Sequence, residues 1–118
     1  MDLRETLESI LDNNGLQFDV YRIDFNRYEF RWIGGEADMA VYADADNLAD
    51  LAEIIYDEYD SFDVDYETSL WIGDDGHGKN GAPHHIRDIL DDFQKYEDDL
   101  WKLYVAISNA ARRLRDVK

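Results

Sequence analysis

A chain of 118 residues with 45% apolar and 14% aromatic side chains can fill one modest core, which points to a single folded domain and excludes wholesale disorder. Its formal charge of -16, from 28 acids against 12 bases, disfavours direct binding to nucleic acid or to anionic membranes and steers basic partners inward. No apolar run approaches the roughly 20 residues that cross a bilayer, "MDLRETLESI" lacks the order of a signal peptide, and the absence of Cys removes disulfides and thiolate chemistry, so a cytoplasmic protein is expected.

The first predicted element is a helix from about Leu3 to Asn13. Asp2 and Glu5 stand at capping-box spacing, Leu3, Leu7, Ile10 and Leu11 form one apolar stripe, and Asn14-Gly15 is a stop signal. "QFDVYRID" and "NRYEFRWI" then read as two strands with a turn near Phe25-Asn26. The second puts Tyr28, Phe30 and Trp32 on one face and Arg27, Glu29 and Arg31 on the other. Short spacing makes the pair antiparallel, and "DMAVYA" after Gly34-Gly35 extends it to a meander of three.

The stretch "DADNLADLAEIIYDEYDSFDVDYE", Asp44 to Glu67, holds ten carboxylates and no Lys or Arg. From Leu48 to Tyr59 the residues Leu48, Leu51, Ala52, Ile55 and Tyr59 recur at helical spacing, with Asp46 or Asn47 as N-cap. On the opposite face Asp46, Asp50, Glu53, Asp57 and Asp60 recur every three or four residues as one acidic stripe, with Glu58 beside it. "SFDVDYETSLWI" alternates Phe62, Val64, Tyr66, Leu70 and Ile72 with Asp63, Asp65, Glu67, Ser69 and Trp71, which predicts a fourth, half-buried strand with three carboxylates outward.

Like charges at i and i+4 on a helix cost a few tenths of a kcal/mol per pair, whereas interleaved bases would gain about as much. A surface shaped for solubility alone is expected to mix the signs. At about 1.5 Å rise per residue the stripe spaces its charges roughly 4.5 to 6 Å apart, the same order as phosphates along one DNA strand. A solvated acidic face accounts for the run as well. A calcium loop does not, because no Gly follows Asp44-x-Asp46 at the required turn position.

Gly73 to His85, "GDDGHGKNGAPHH", matches the spacing of a phosphate-binding loop through Lys79. Asn80 stands where Ser or Thr would hold Mg²⁺, Asp74 and Asp75 would repel phosphate, and "NGAP" separates Lys79 from the next helix. A turn-rich connection ending in Pro83 at the first helical position is the plainer reading. His77, His84 and His85 with Asp74 and Asp75 offer metal ligands or an acid-base pair. Adjacent His84 and His85 point about 100° apart on a helix, and no nucleophile or oxyanion arrangement accompanies them. Neither catalysis nor a cofactor is expected.

The last pattern, Ile86, Ile89, Leu90, Phe93, Leu100, Leu103, Tyr104, Ile107, Ala110, Ala111 and Leu114, keeps the helical period throughout. A rod of about 30 residues would reach roughly 45 Å, more than a compact domain of this size spans. It should therefore break near Glu97 to Asp99, or project and pair with a second copy as a homodimer. Asp88, Asp91, Asp92, Asp98 and Asp99 lie on its first half, and Arg112, Arg113, Arg115 and Lys118 at its end complement the helix dipole.

The expected fold is α+β: an antiparallel sheet of about four strands covered by three helices, in the order α-β-β-β-α-β-α with a long C-terminal helix. The expected partner-binding residues are Asp46, Asp50, Glu53, Asp57, Glu58, Asp60, Asp63, Asp65, Glu67, Asp74, Asp75, Asp88, Asp91 and Asp92. In size, acidity and lack of a catalytic constellation the whole chain resembles the phage-type anti-restriction and anti-CRISPR proteins that act as DNA mimics. That resemblance implies binding to, and inhibition of, a basic nucleic-acid-binding protein such as a nuclease, a restriction or CRISPR effector, or a repressor. A generic adaptor domain and a small metal-dependent enzyme or sensor built on the His loop are the alternatives.

Overall fold

The computed structural model describes residues 2–73 and 86–116. Helix α1 covers Leu3–Asn13, strands β1, β2 and β3 cover Phe18–Asp24, Arg27–Trp32 and Ala40–Asp44, and helices α2, α3 and α4 cover Leu48–Ser61, Val64–Gly73 and Ile86–Asp116. The α+β class stands, with three strands and four helices among the described residues.

Local signals set the first half. The Asp2 carboxylate accepts a hydrogen bond from the Glu5 N–H at 2.8 Å, closing the start of α1. At its end Gly15 takes a φ of 60°, which lets the chain reverse while the Leu16 N–H reaches the Leu11 carbonyl at 3.0 Å. The strands form an antiparallel meander in the order β1-β2-β3, with Val20 opposite Phe30 and Phe30 opposite Val41. Pleating sends Phe18, Val20, Tyr28, Phe30, Trp32, Val41 and Ala43 to one buried face. The other face carries charge: Arg27 lies 3.6 Å from Asp44, and Arg31 reaches Glu29 at 2.8 Å and Asp38 at 2.6 Å.

Helices close over the apolar face. Leu7 of α1, Leu51 and Ile55 of α2, and Ile89, Phe93, Leu100, Leu103 and Ile107 of α4 are wholly buried there. Helix α4 packs most heavily on α2, whose sequence runs antiparallel to it, so Phe62 meets Phe93 and Tyr96 while Tyr56 meets Tyr104.

One expectation is corrected and one of two alternatives is removed. The predicted fourth strand is helix α3, so the sheet has three strands and the order becomes α-β-β-β-α-α-α. Asp63 starts this helix: its carboxylate accepts from the Tyr66 N–H at 3.1 Å and its carbonyl from the Glu67 N–H at 2.9 Å. Asp65 and Glu67 fall in the first turn, where negative charge favours the helix dipole. The buried residue four positions after Val64 is Thr68, a helical spacing that the period-two reading passes over. Helix α4, in turn, is continuous for 31 residues with no break at Glu97 to Asp99. At about 1.5 Å per residue it is a rod of roughly 46 Å. The rod fits because the molecule is elongated, 53 × 24 × 22 Å.

Candidate functional site

Helix α2 carries the acidic stripe. Its N-cap is Asn47, whose side-chain oxygen accepts from the Asp50 N–H at 2.9 Å, and its inward face is Leu48, Leu51, Ala52 and Ile55. That packing forces the opposite face into solvent, where Asp50, Glu53, Asp57, Glu58 and Asp60 are all exposed; Asp46, also exposed, precedes the extended N-cap and so lies ahead of the helix rather than on its stripe. Among the described residues, the ion pairs are Arg4–Glu8, Arg27–Asp44, Arg31–Glu29 and Arg31–Asp38, so no base neutralises any acid of the stripe. The last turn of α2 also contains no base. Glu58 and Asp60 therefore sit at the helix end where the dipole disfavours negative charge.

At the α2–α3 corner the charge is denser. The Glu67 carboxyl is held above its usual range, first by partial burial and then by Glu58 and Asp63. The Tyr96 hydroxyl beneath is pushed up as well, mainly by burial, with Glu58 and Glu67 adding to it. Asp63, Asp65 and Glu67 thus join the α2 acids as the sequence suggests, but from the start of a helix rather than from the outer face of a strand. Asp63 and Asp65 are exposed and Glu67 is half-buried.

Asp92 does not belong to this surface. It is only 7% exposed, and one carboxylate oxygen accepts from the backbone N–H groups of both Glu36 and Ala37 at 2.8 Å. Two helical turns further on, Asp99 accepts from the Trp32 indole N–H at 2.8 Å. Together the two acids of α4 clamp the loop between β2 and β3. Gly34 and Gly35 make this approach possible, since a Cβ on Gly35 would stand 2.5 Å from the Trp32 ring and 2.7 Å from the Asp92 carboxylate. Asp91 is exposed one turn before Lys95 on the outer side of α4, a sign-mixed face. Asp74 and Asp75 lie outside the described residues, as do Lys79, His77, His84 and His85; the Asp88 side chain is likewise outside them. Among the described residues, no group of three or more His, Asp or Glu side chains is placed to hold a metal ion, and no helix is long and apolar enough to cross a membrane.

Beside the stripe is a feature that sequence reasoning did not single out. Tyr56 and Tyr59 of α2 meet Trp101 and Tyr104 of α4 in a closed ring of contacts. Centroids are 6.4 Å apart for Tyr56–Tyr59, 5.3 Å for Tyr59–Trp101, 5.4 Å for Trp101–Tyr104 and 5.1 Å for Tyr104–Tyr56. Tyr56 is 41% exposed and Trp101 44% exposed. The available signal was a pair of aromatics three residues apart on each helix, but joining the pairs requires the antiparallel register of α2 on α4.

A groove of about 190 Å³ continues from these rings between Ala49, Ala52 and Glu53 of α2 and Ser108, Ala111 and Arg112 of α4. The arrangement offers carboxylates and aromatic faces to a cationic surface; none of the described acids is paired with a nucleophile. No protein-family model, no curated protein and no solved structure matches the chain.

Proposed function

We propose that the chain is an acidic binding protein that inhibits a basic nucleic-acid-binding protein by occupying its nucleic-acid groove with carboxylates, as a DNA mimic does. The observation that supports this most is the α2 stripe, whose five exposed acids, like Asp46 just ahead of the N-cap, have no ion-pair partner among the described residues. Local stability would favour the opposite choice, bases interleaved with the acids and bases in the last turn. Four of the acids, Asp50, Glu53, Asp57 and Asp60, extend over ten residue steps of helix, or roughly 15 Å at about 1.5 Å per residue, a length comparable with several phosphate steps. The target class is a nuclease, a restriction or CRISPR effector, or a repressor, all of which present basic grooves to nucleic acid.

Capture from a host lysate at low salt, followed by a wash with duplex DNA, selects such a target. Calorimetry with the purified target then compares wild type with the triple variant Asp50→Asn, Glu53→Gln, Asp57→Asn. Expected are a binding constant that falls steeply with salt, displacement by DNA, and at least a tenfold loss of affinity in the variant, about 1.4 kcal/mol or more. A variant that binds as tightly as wild type removes the proposal.

A further inference from the structure

The aromatic quartet, exposed at Tyr56 and Trp101 and half-buried at Tyr59 and Tyr104, is set among acids, and its surroundings say what would cover it. Glu53 and Asp60 lie three residues before and four after Tyr56, so both are one turn from its ring on α2. Glu97 and Asp98 lie four and three residues before Trp101, in the same relation on α4. None of these four carboxylates has an ion-pair partner among the described residues. Exposed rings attract a cation to their faces, and a guanidinium does this best because its planar fork stacks on a ring while donating to carboxylates at its edge. An ammonium is a point charge that keeps its water and gains less from the rings. A second copy of this chain would bring a net charge of -16 against another of -16 and two acidic banks face to face, so charge complementarity selects a basic occupant.

We propose that Tyr56, Tyr59, Trp101 and Tyr104 form the stacking platform for an arginine side chain of the protein partner, with Glu53, Asp60, Glu97 and Asp98 as its carboxylate rim. This rests on the proposed function and adds to it. The stripe supplies long-range attraction and charge matching, while the quartet supplies the buried anchor on which binding strength concentrates. The polarity of the seam sets where the arginine seats. Arg112 lines the groove beyond Tyr104, and Lys102 shares with Trp101 the separate pocket against Asn14 and Leu16, so the Tyr59–Trp101 end, rimmed by Asp60, Glu97 and Asp98, is the cation-attracting part.

The test uses hexa-arginine and hexa-lysine peptides, equal in charge, titrated into the intact protein by calorimetry at low salt. Hexa-arginine should bind about fivefold more tightly, in line with an exposed cation–π contact. In Tyr56→Leu/Trp101→Leu that preference should collapse while hexa-lysine affinity holds, and in Tyr56→Phe/Trp101→Phe, which keeps the rings, it should persist. Equal affinities in wild type, or an arginine preference that survives the Leu variant, overturns the platform. A dimer seen by sedimentation and dissolved by the Leu variant also overturns it, by giving the face to a second copy. The two levels fail separately. Loss of hexa-lysine binding in the Asp50→Asn, Glu53→Gln, Asp57→Asn variant upholds the acidic surface even where the arginine preference is absent, and unchanged hexa-lysine binding there counts against the acidic surface itself.

Discussion

Asp92→Ala removes the acceptor of two backbone N–H groups at once, those of Glu36 and Ala37, each 2.8 Å from the same carboxylate oxygen. A hydrogen bond to a charged group contributes about 1.5–3 kcal/mol, and a buried donor left without a partner costs about 1–3 kcal/mol. The Ala37 bond is buried and the Glu36 bond partly so. Water can replace the second more readily than the first, which puts the loss near 3 kcal/mol rather than twice that. An unfolding entropy of about 2.1 cal/mol/K per residue gives roughly 250 cal/mol/K for 118 residues, so Tm should fall by about 12 °C. Asp92→Asn keeps an oxygen in place and should lose about 1 kcal/mol. Asp91→Ala, one position away and exposed, is the control and should stay within about 0.5 kcal/mol of wild type. Urea unfolding followed by circular dichroism, with the slope unchanged between variants, gives all three values. An Asp92→Ala midpoint equal to that of Asp91→Ala would refute the clamp and return Asp92 to the partner-binding surface.

Three further variants test the α2–α3 corner and the glycine turns. Because partial burial, Glu58 and Asp63 raise the folded pKa of Glu67 above its ordinary 4.5, the protonated form stabilises the fold and that contribution disappears as pH rises through the folded value. Glu67→Gln should therefore melt above wild type at pH 7, with the gap closing as pH falls toward 4.5; a gap that widens on acidification contradicts the sign. Gly35→Ala places a Cβ 2.5 Å from the Trp32 ring and should cost about 1–3 kcal/mol, whereas Gly15→Ala meets nothing within 4 Å and pays only about 1 kcal/mol for its φ of 60°. Urea midpoints in the reverse order would contradict the close packing at Gly35.

The elements legible in the sequence are those whose signals are local. Tyr28, Phe30 and Trp32 alternate with Arg27, Glu29 and Arg31, and the observed pleat follows that alternation. The α2 face was equally plain, since packing of Leu48, Leu51, Ala52 and Ile55 fixes which acids face solvent. Helix α3 was misread because Phe62, the residue that begins the apparent alternation, belongs to the end of α2 and packs edge-on to Phe93 and Tyr96 at 6.0 and 5.0 Å. With Phe62 assigned there, Asp63 as cap followed by Asp65 and Glu67 reads as a helix start. The Asp92 clamp had no local signal: its donors lie 56 and 55 residues away, in a loop whose approach depends on Gly34-Gly35. The aromatic quartet failed to show for a related reason, being half on each of two helices.

The acids of the described residues fall into groups with opposed energetics, and this opposition bears on function. Asp2 and Asp63 cap helices, Asp65 stands in a first turn, and Asp92 and Asp99 hold the β2–β3 loop; each lowers the energy of the fold where it stands. Apart from Asp50, which stands in the first turn where the dipole favours it, the outer face of α2 does the reverse. Its acids repel one another at i, i+3 and i+4, and Glu58 and Asp60 in the last turn oppose the dipole with no base to offset them. If net charge were the whole purpose, acids distributed among bases or placed at helix starts would keep the chain soluble at lower cost. A local choice that works against the fold, densest on one exposed face, is the pattern expected where a surface serves a partner. In the triple variant Asp50→Asn, Glu53→Gln, Asp57→Asn the relieved repulsion offsets the lost first-turn charge of Asp50. The variant should therefore stay within about 0.5 kcal/mol of wild type, so its loss of binding could not be laid to unfolding.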